Sequence, residues 1–582
     1  MADAVHLTPL DHHFADFIVR LDSSPCHDLW LAAALTSAAT ARGHVCLDLA
    51  TAAEGEVQPL RPVSGPLRPP PVGQWRAGLA SCTTVGRPGE YTPLVLDGAD
   101  RLYLHRSWDH ERRAADGLLA RCEPVPVDED FLRAGLDRYF PPGGEAPDWQ
   151  RVAAMASLTR RLTVISGGPG TGKTATVARI LALALELAGA REPAIALAAP
   201  TGKAALRLRH SIARATEQLG LAAPLRARMP DRVQTIHRLL GAMSGPALFR
   251  HNRDNPLPCD LLVVDEVSMV DLPLMARLLE ALRPDCRLIL LGDRDQLASV
   301  EAGAVLADIC NRGDLPPFSV RFRSQVERLC GPLGAEADVP STHNQREPSP
   351  LSDSVIQLRT SYRFGADSGI GALSRLINAG EAAAALDLLQ SGHREDLAWR
   401  PLPDANGFAA AFGAAVRRGY DGYCRAATPR AALEALEEFR VLSPHRAGSW
   451  GVDSLNRLAG AALGLHRVEG APWCRLLPLM VTANNYELGL FNGDTAVVLE
   501  EPGSGRLAAF FPDPEADGGL RRLSPLRLPP WEPALALTVH KSQGSEFDHV
   551  LLVLPDRMSE ALSRELLYTA VTRARRRVEI WG

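Results

Sequence analysis

The sequence has no C-x-x-C pair: its ten cysteines are scattered singly along 582 residues. That spacing offers no start for a zinc or iron-sulfur site, so the thiols, Cys259 and Cys286 among them, read as packing residues kept reduced in a cytosol. Long hydrophobic runs are missing as well. The longest candidate, Val177 to Ala190, is interrupted by Arg179 and Glu186, far from the roughly 20 apolar residues of a membrane span, and no membrane association is expected. The first residues, Met1-Ala2-Asp3-Ala4-Val5-His6, lack the basic, apolar, small-residue order of a secretory signal, and the expected location is cytoplasmic. There is no excess of positive charge either. A net charge of -5 gives no global field for capturing nucleic acid, so any strand must be gripped in a local groove.

What is present is an ordinary globular composition, 46% hydrophobic and 23% charged, in a chain too long for one core. Residues 1–130 carry mixed patterns with Pro-rich interruptions, such as Leu67-Arg68-Pro69-Pro70-Pro71-Val72, and no motif with chemistry in it. They are expected to form a separate amino-terminal domain for packing or partner docking. Four short apolar runs follow, Leu162 to Ile165, Ala194 to Ala199, Leu261 to Val264 and Leu288 to Leu291, with Thr163 the one polar exception. Each leads into a loop and a helical pattern, as strands of a parallel sheet buried on both faces do. This places a first α/β domain over residues 131–350. The stretch Phe318 to Asp353, with Pro340, Pro348 and Pro350, reads as an irregular surface excursion or linker. A second α/β domain is expected over 351–582, with a small β-rich insertion at about 466–530 built around the turn Phe491-Asn492-Gly493-Asp494.

The chemistry begins at Gly167-Gly168-Pro169-Gly170-Thr171-Gly172-Lys173-Thr174, which fits the phosphate-binding pattern G-x-x-x-x-G-K-[ST] between a strand and a helix. Its glycines let backbone N–H groups turn toward phosphate, and the helix start adds a favourable dipole. Lys173 would hold the β- and γ-phosphates of ATP, and Thr174 would ligate Mg²⁺. Asp265-Glu266 closes an apolar strand; Asp265 is the expected second Mg²⁺ residue and Glu266 the general base that activates water. An acidic pair after a strand is by itself often only a solvated turn, and its meaning here comes from the phosphate loop. Gln296, in Gly292-Asp293-Arg294-Asp295-Gln296-Leu297, stands at the carboxyl edge of the sheet, where it would sense the γ-phosphate or orient water. Hydrolysis also calls for arginines from outside the loop, and Arg363 and Arg573 are the candidates.

The ordered set DWQRVAA (148–154), GGPGTGKT, APTGKAA (199–205), TIHRLLG (235–241), DEVSM (265–269), GDRDQLASVEAG (292–303), SYRFG (361–365), TVHKSQGSEF (538–547) and YTAVTRAR (568–575) resembles the superfamily 1 helicases. With LGLFNGD (488–494) it is most similar to the RecD family, the α subunits of bacterial RecBCD enzyme (exodeoxyribonuclease V). By length, and without a long amino-terminal extension, the chain is expected to side with the RecBCD subunits rather than with longer stand-alone relatives.

The resemblance implies two RecA-like motor domains and an ATP-dependent helicase moving 5′ to 3′ on DNA. It implies that Gln150 recognises adenine, that Arg363 and Arg573 reach phosphate from the second motor domain, and that Thr201, Lys203, His237, Thr538 and His540 lie near single-stranded DNA. RecB-like and RecC-like partners and duplex DNA ends are implied as well, with nuclease activity in a partner, because no spaced carboxylate and lysine cluster stands out in this chain. Val267 stands where the family often has alanine, a conservative swap. Two other readings stay open at this point: a P-loop translocase on RNA or another polymer, and an assembly subunit whose motor is idle.

Overall fold

The computed structural model of the chain describes residues 5–58, 67–141, 147–243, 249–299, 301–310, 318–333, 349–365, 367–465, 473–485, 487–501, 505–513, 516–557, 559 and 562–582. Val300, residues 334–348 of the expected linker and residues 466–472 of the expected insertion lie outside them.

The four apolar runs form the strands Leu162–Gly167, Ile195–Ala199, Leu261–Val264 and Arg287–Gly292. All are parallel, and alternate residues leave for opposite faces. Val164, Leu262, Val264, Leu288 and Leu290 join one buried cluster; Ile165, Leu261, Val263, Ile289 and Leu291 join the other. A sheet covered on both sides has no polar face, which is why these strands read as continuous apolar runs rather than as alternating ones. Burying each large aliphatic side chain contributes roughly 1.5–3 kcal/mol, so two such faces hold the sheet firmly. Thr163 is buried too.

Two more strands complete this sheet, Val233–Thr235 on one edge and Val355–Leu358 on the other, beside Leu162–Gly167. The second of these corrects the expected boundary at 350, because the first unit keeps its chain through Leu358. The expected linker is corrected as well. It contains the helix Val320–Cys330, whose Phe322, Val326 and Leu329 enter the first core at helical spacing. Three arginines and a glutamate among those positions hid the stripe.

The second parallel sheet runs Leu397–Arg400, Ala574–Trp581, Phe547–Val553, Phe439–Ser443, Ala536–Thr538 in spatial order. Out of it grows an antiparallel sheet of Leu520–Leu523, Leu507–Pro512, Thr495–Glu500, Leu477–Val481 and Trp531–Pro533. The turn Phe491 to Asp494 projects from this insertion onto the first unit; a Cβ on Gly202 would meet Phe491 and Asp494 at 3.5 Å.

The amino-terminal unit has its own sheet, Cys46–Asp48, Arg101–Leu104, Leu94–Leu96 and Val85–Gly86, and its own core around Trp75, Leu35 and Leu94. Its chain crosses into the first motor-type unit earlier than residue 130. Ala114 and Leu118 of the helix His105–Leu119 belong to the first unit's core, and Arg113 pairs with Glu280 at 2.7 Å. Further ties join the two: Gly303 N donates to Gly43 O at 3.1 Å, and Val45 packs against the first unit's core. The chain is thus α/β, with two parallel-sheet units, a small antiparallel insertion in the second and a separate amino-terminal unit.

Candidate active site

The strand Leu162–Gly167 ends in the phosphate-loop sequence, and Gly172 at φ 80° hands over to the helix Lys173–Leu187. Gly170 has φ +78°, and a Cβ there would lie 2.3 Å from Arg363 Cβ, so only glycine allows the approach. Tyr362 N donates to Gly170 O at 2.8 Å and Ser361 Oγ to Pro169 O at 3.1 Å. The segment carrying Arg363 therefore lies directly on the loop.

A cavity of ≈ 260 Å³ opens between the two units, lined by Pro169 to Thr174 with Asp265, Glu266, Gln296, Arg363 and Arg573, and also by Arg207 and Glu546. Six of the expected catalytic positions thus meet at one place, although 400 positions separate Lys173 from Arg573 in sequence. Lys173 Nζ bends back onto the carbonyls of Gly167 and Gly168, the latter at 3.1 Å. Gln150 lies behind the loop rather than in the cavity; its Nε2 donates to Thr171 O at 2.9 Å.

Burial, with Glu266 beside it, pushes Asp265 up to about 6. Glu266 takes the left-handed conformation, φ 53°, with its N–H on Asp265 Oδ1 at 2.8 Å. A strained non-glycine residue at a strand end is characteristic of sites whose side chains must be aimed. Val267 beside it is fully buried in the first core, where its side chain serves packing.

Arg363 forms a two-pronged pair with Glu546, both bonds 2.9 Å, and Arg207 pairs with the same carboxylate. Burial alone would raise the Glu546 carboxyl, but Arg207 and Arg363 outweigh it and hold the group down at about 2. Arg573 is only 2% exposed and donates to Thr569 O at 3.1 Å and Ser545 O at 3.2 Å. Burial lowers its pKa, while the nearby Glu266 and Glu546 carboxylates work in the opposite direction.

The Glu546 cluster makes a pH prediction. Its folded pKa lies below the ordinary carboxylate value of 4.5, so its stabilisation is fully present above pH 4.5 and is lost as pH falls toward 2. Glu546→Gln is expected to lower stability by about 2–3 kcal/mol at neutral pH, and the gap from wild type should close on acidification. Urea denaturation at pH 7, 5 and 3 checks this: the gap should be nearly the same at pH 7 and 5 and clearly smaller at pH 3, and a gap undiminished at pH 3 would contradict it.

The residues expected near DNA sit at the carboxyl edges of the two sheets but do different local work. Thr201 caps the helix Gly202–Gln218, accepting from Ala204 N at 3.2 Å, and Thr538 accepts from Lys541 N at 3.3 Å. Lys203 lies 6.0 Å from the Phe547 ring centre, where burial and then the neighbouring Arg440 pull its pKa down to about 8. His237 is exposed, with its ring 5.9 Å from that of Phe249, while burial lowers the pKa of His540.

Four residues of this site were not singled out from sequence. Arg207 lies one helical turn beyond Lys203, a spacing that puts both on one face. Glu546 and Tyr568 stand inside recognised motifs. Tyr362, 69% exposed beside the phosphate loop, is an aromatic surface where a stacking partner is most useful.

Comparison with known proteins gives three family matches. Residues 3–103 match the amino-terminal domain of RecBCD enzyme subunit RecD, residues 150–302 an AAA domain, and residues 533–580 a UvrD-like helicase C-terminal domain. The RecBCD enzyme subunit RecD of Mycolicibacterium smegmatis is 40% identical over 586 residues, covering 99% of this chain and 93% of that one. The RecD subunit of Haemophilus influenzae is 34% identical, covering 88% and 81%, and the ATP-dependent RecD2 DNA helicase of Deinococcus radiodurans is 32% identical, covering 94% and 64%. No helix among the described residues is long and apolar enough to cross a membrane.

Proposed function

The chain belongs to the RecD family, and from that premise we propose that it is the ATP-dependent 5′-to-3′ DNA helicase subunit of a RecBCD-type helicase-nuclease, working in the cytoplasm on double-strand DNA ends. The observation that carries this reading is the single cavity to which one unit brings Lys173 and the other brings Arg573. A site completed only by two units facing each other can turn nucleotide binding into relative movement. Its assembly from intact residues speaks against an idle motor.

In this reading Lys173 exchanges the carbonyls of Gly167 and Gly168 for the β- and γ-phosphates, a charge-assisted contact stronger than the one it leaves. The loop N–H groups from Gly170 to Thr174 hold phosphate oxygens, and Gln150 and Tyr362 flank the place of the base. Thr174 and Asp265 supply the hydroxyl and carboxylate oxygens that suit Mg²⁺, and both line the cavity. Bound there, the ion neutralises phosphate charge. Glu266 accepts a proton from the attacking water, Gln296 helps to orient that water, and Arg363 and Arg573 balance the charge that develops on the transferring phosphoryl group.

Thr201, Lys203, His237, Thr538 and His540 are assigned to the strand that crosses both sheet edges. We divide the chain for this purpose near residues 104 and 358, with the amino-terminal unit given to docking RecB-like and RecC-like partners and the nuclease given to a partner. The test is stimulation of ATP hydrolysis by single-stranded DNA against RNA, followed by unwinding of substrates with single 5′ or 3′ tails. DNA-dependent stimulation and a 5′-tail requirement are expected; stimulation by RNA alone would refute the assignment.

A further inference from the structure

The loop after the strand Arg287–Gly292 is held from the opposite unit. Tyr568, in the helix Arg564–Val571, donates its hydroxyl to Asp293 Oδ2 at 3.0 Å, and Gln296 donates Nε2 to the same oxygen at 2.9 Å. Next to them Leu297 N donates to Thr569 Oγ1 at 2.8 Å, and Gln543 Nε2 donates to Leu297 O at 2.7 Å. Three of these four bonds cross from one unit to the other, so they exist only while the units are closed.

A carboxylate can only accept, and that decides which way the Gln296 amide faces. Its nitrogen is committed to Asp293. Its Oε1 is buried without a hydrogen-bond partner among the described residues, on a side chain that lines the nucleotide cavity. An orphaned buried acceptor in such a place is costly unless something is bound there. Burial, with Asp293 beside it, holds the Tyr568 phenol far above its ordinary value, so the hydroxyl keeps its proton and remains a donor. The same hydroxyl reaches the phosphate loop, since a Cβ on Gly168 would lie 3.0 Å from it.

We propose that Tyr568 is a positioning residue for hydrolysis: through Asp293 it fixes the Gln296 amide with its oxygen free, so that Gln296 accepts a hydrogen bond from the attacking water rather than donating one to phosphate. The arrangement is conditional on closure. When the units part, Asp293 loses the phenol, Leu297 loses both its tethers, and the carboxylate that holds the amide is free to swing and carry Gln296 out of line. Gln296 is then oriented for water only in the state that also brings Arg573 to the cavity. Futile hydrolysis in the open state is thereby suppressed.

The proposal rests on the motor reading above, and its test separates the two. The full chain is assayed for ATP hydrolysis with saturating single-stranded DNA as wild type, Tyr568→Phe, Gln296→Ala and the double variant. Tyr568→Phe is expected to lower kcat at least tenfold with KM for ATP within twofold. In the Gln296→Ala background the same substitution should change kcat by less than twofold. A second readout is affinity: Tyr568→Phe should weaken binding of ADP with aluminium fluoride, which mimics the transferring phosphoryl group, and leave the Kd for ADP unchanged. Asp293→Asn, whose amide can donate to Gln296 Oε1 and turn it over, is expected to behave as Tyr568→Phe does and serves if that variant does not fold.

Full kcat in Tyr568→Phe, equal losses in both backgrounds, or weakened ADP binding would overturn the proposal. A wild-type chain without DNA-stimulated hydrolysis would overturn the motor reading and the proposal with it.

Discussion

Replacing Arg573 by alanine is expected to slow DNA-stimulated ATP turnover about a thousandfold, the usual worth of an arginine that meets a transferring phosphoryl group from outside the phosphate loop. The structure gives a reason to expect an effect of at least that size. Arg573 is fully enclosed, is aimed by the carbonyls of Thr569 and Ser545, and lies near Glu266. Its guanidinium is therefore placed before nucleotide arrives, and little ordering remains to be done. Because alanine also leaves a cavity, Arg573→Lys is the companion variant. Lysine keeps the charge but not the planar fork that spans both carbonyls, so it too should lose at least a hundredfold in kcat. Thermal midpoints measured beside the kinetics separate unfolding from lost chemistry; a folded Arg573→Lys with near wild-type kcat would refute the assignment.

Lys173→Ala should be at least as severe, with turnover reduced about a thousandfold or more. It differs from Arg573→Ala in what happens to binding. Lys173 lines the cavity from the first unit and, among the described residues, donates to the loop carbonyls of Gly167 and Gly168, so its removal should also weaken ATP binding while leaving the fold intact. In a complex reassembled with RecB and RecC subunits, the 5′-to-3′ activity should stop. If hydrolysis and that unwinding both survived the substitution, the chain would not be the motor.

Much of this site is legible in the sequence because each motif is local. The phosphate loop needs its glycines at fixed spacing after a strand, and Asp265-Glu266 follows an apolar run that can only be interior. What the sequence does not display are the partnerships between motifs. Glu546 meets Arg363 across 183 positions and Tyr568 meets Asp293 across 275, and neither pair leaves a periodic or compositional trace. The same limit explains the misplaced boundaries. The strand Val355–Leu358 is short, and only its pairing with Val164 to Gly167 reveals which sheet it completes. The helix Val320–Cys330 shows a face of three apolar residues among charged ones, too narrow to outweigh the prolines that follow it.

The strand Ala574–Trp581 lies inside the second sheet, between Leu397–Arg400 and Phe547–Val553, not at its edge. On the ribosome, that sheet therefore cannot close until these residues have emerged, whereas the first sheet is complete once Leu358 is free. A nascent chain would be able to bind nucleotide long before it can hydrolyse it, since Arg573 immediately precedes the strand that completes the second unit. Any chain terminated before residue 574 would lose an interior strand of the second sheet, leaving the first, nucleotide-binding sheet complete with no closed second unit to face it.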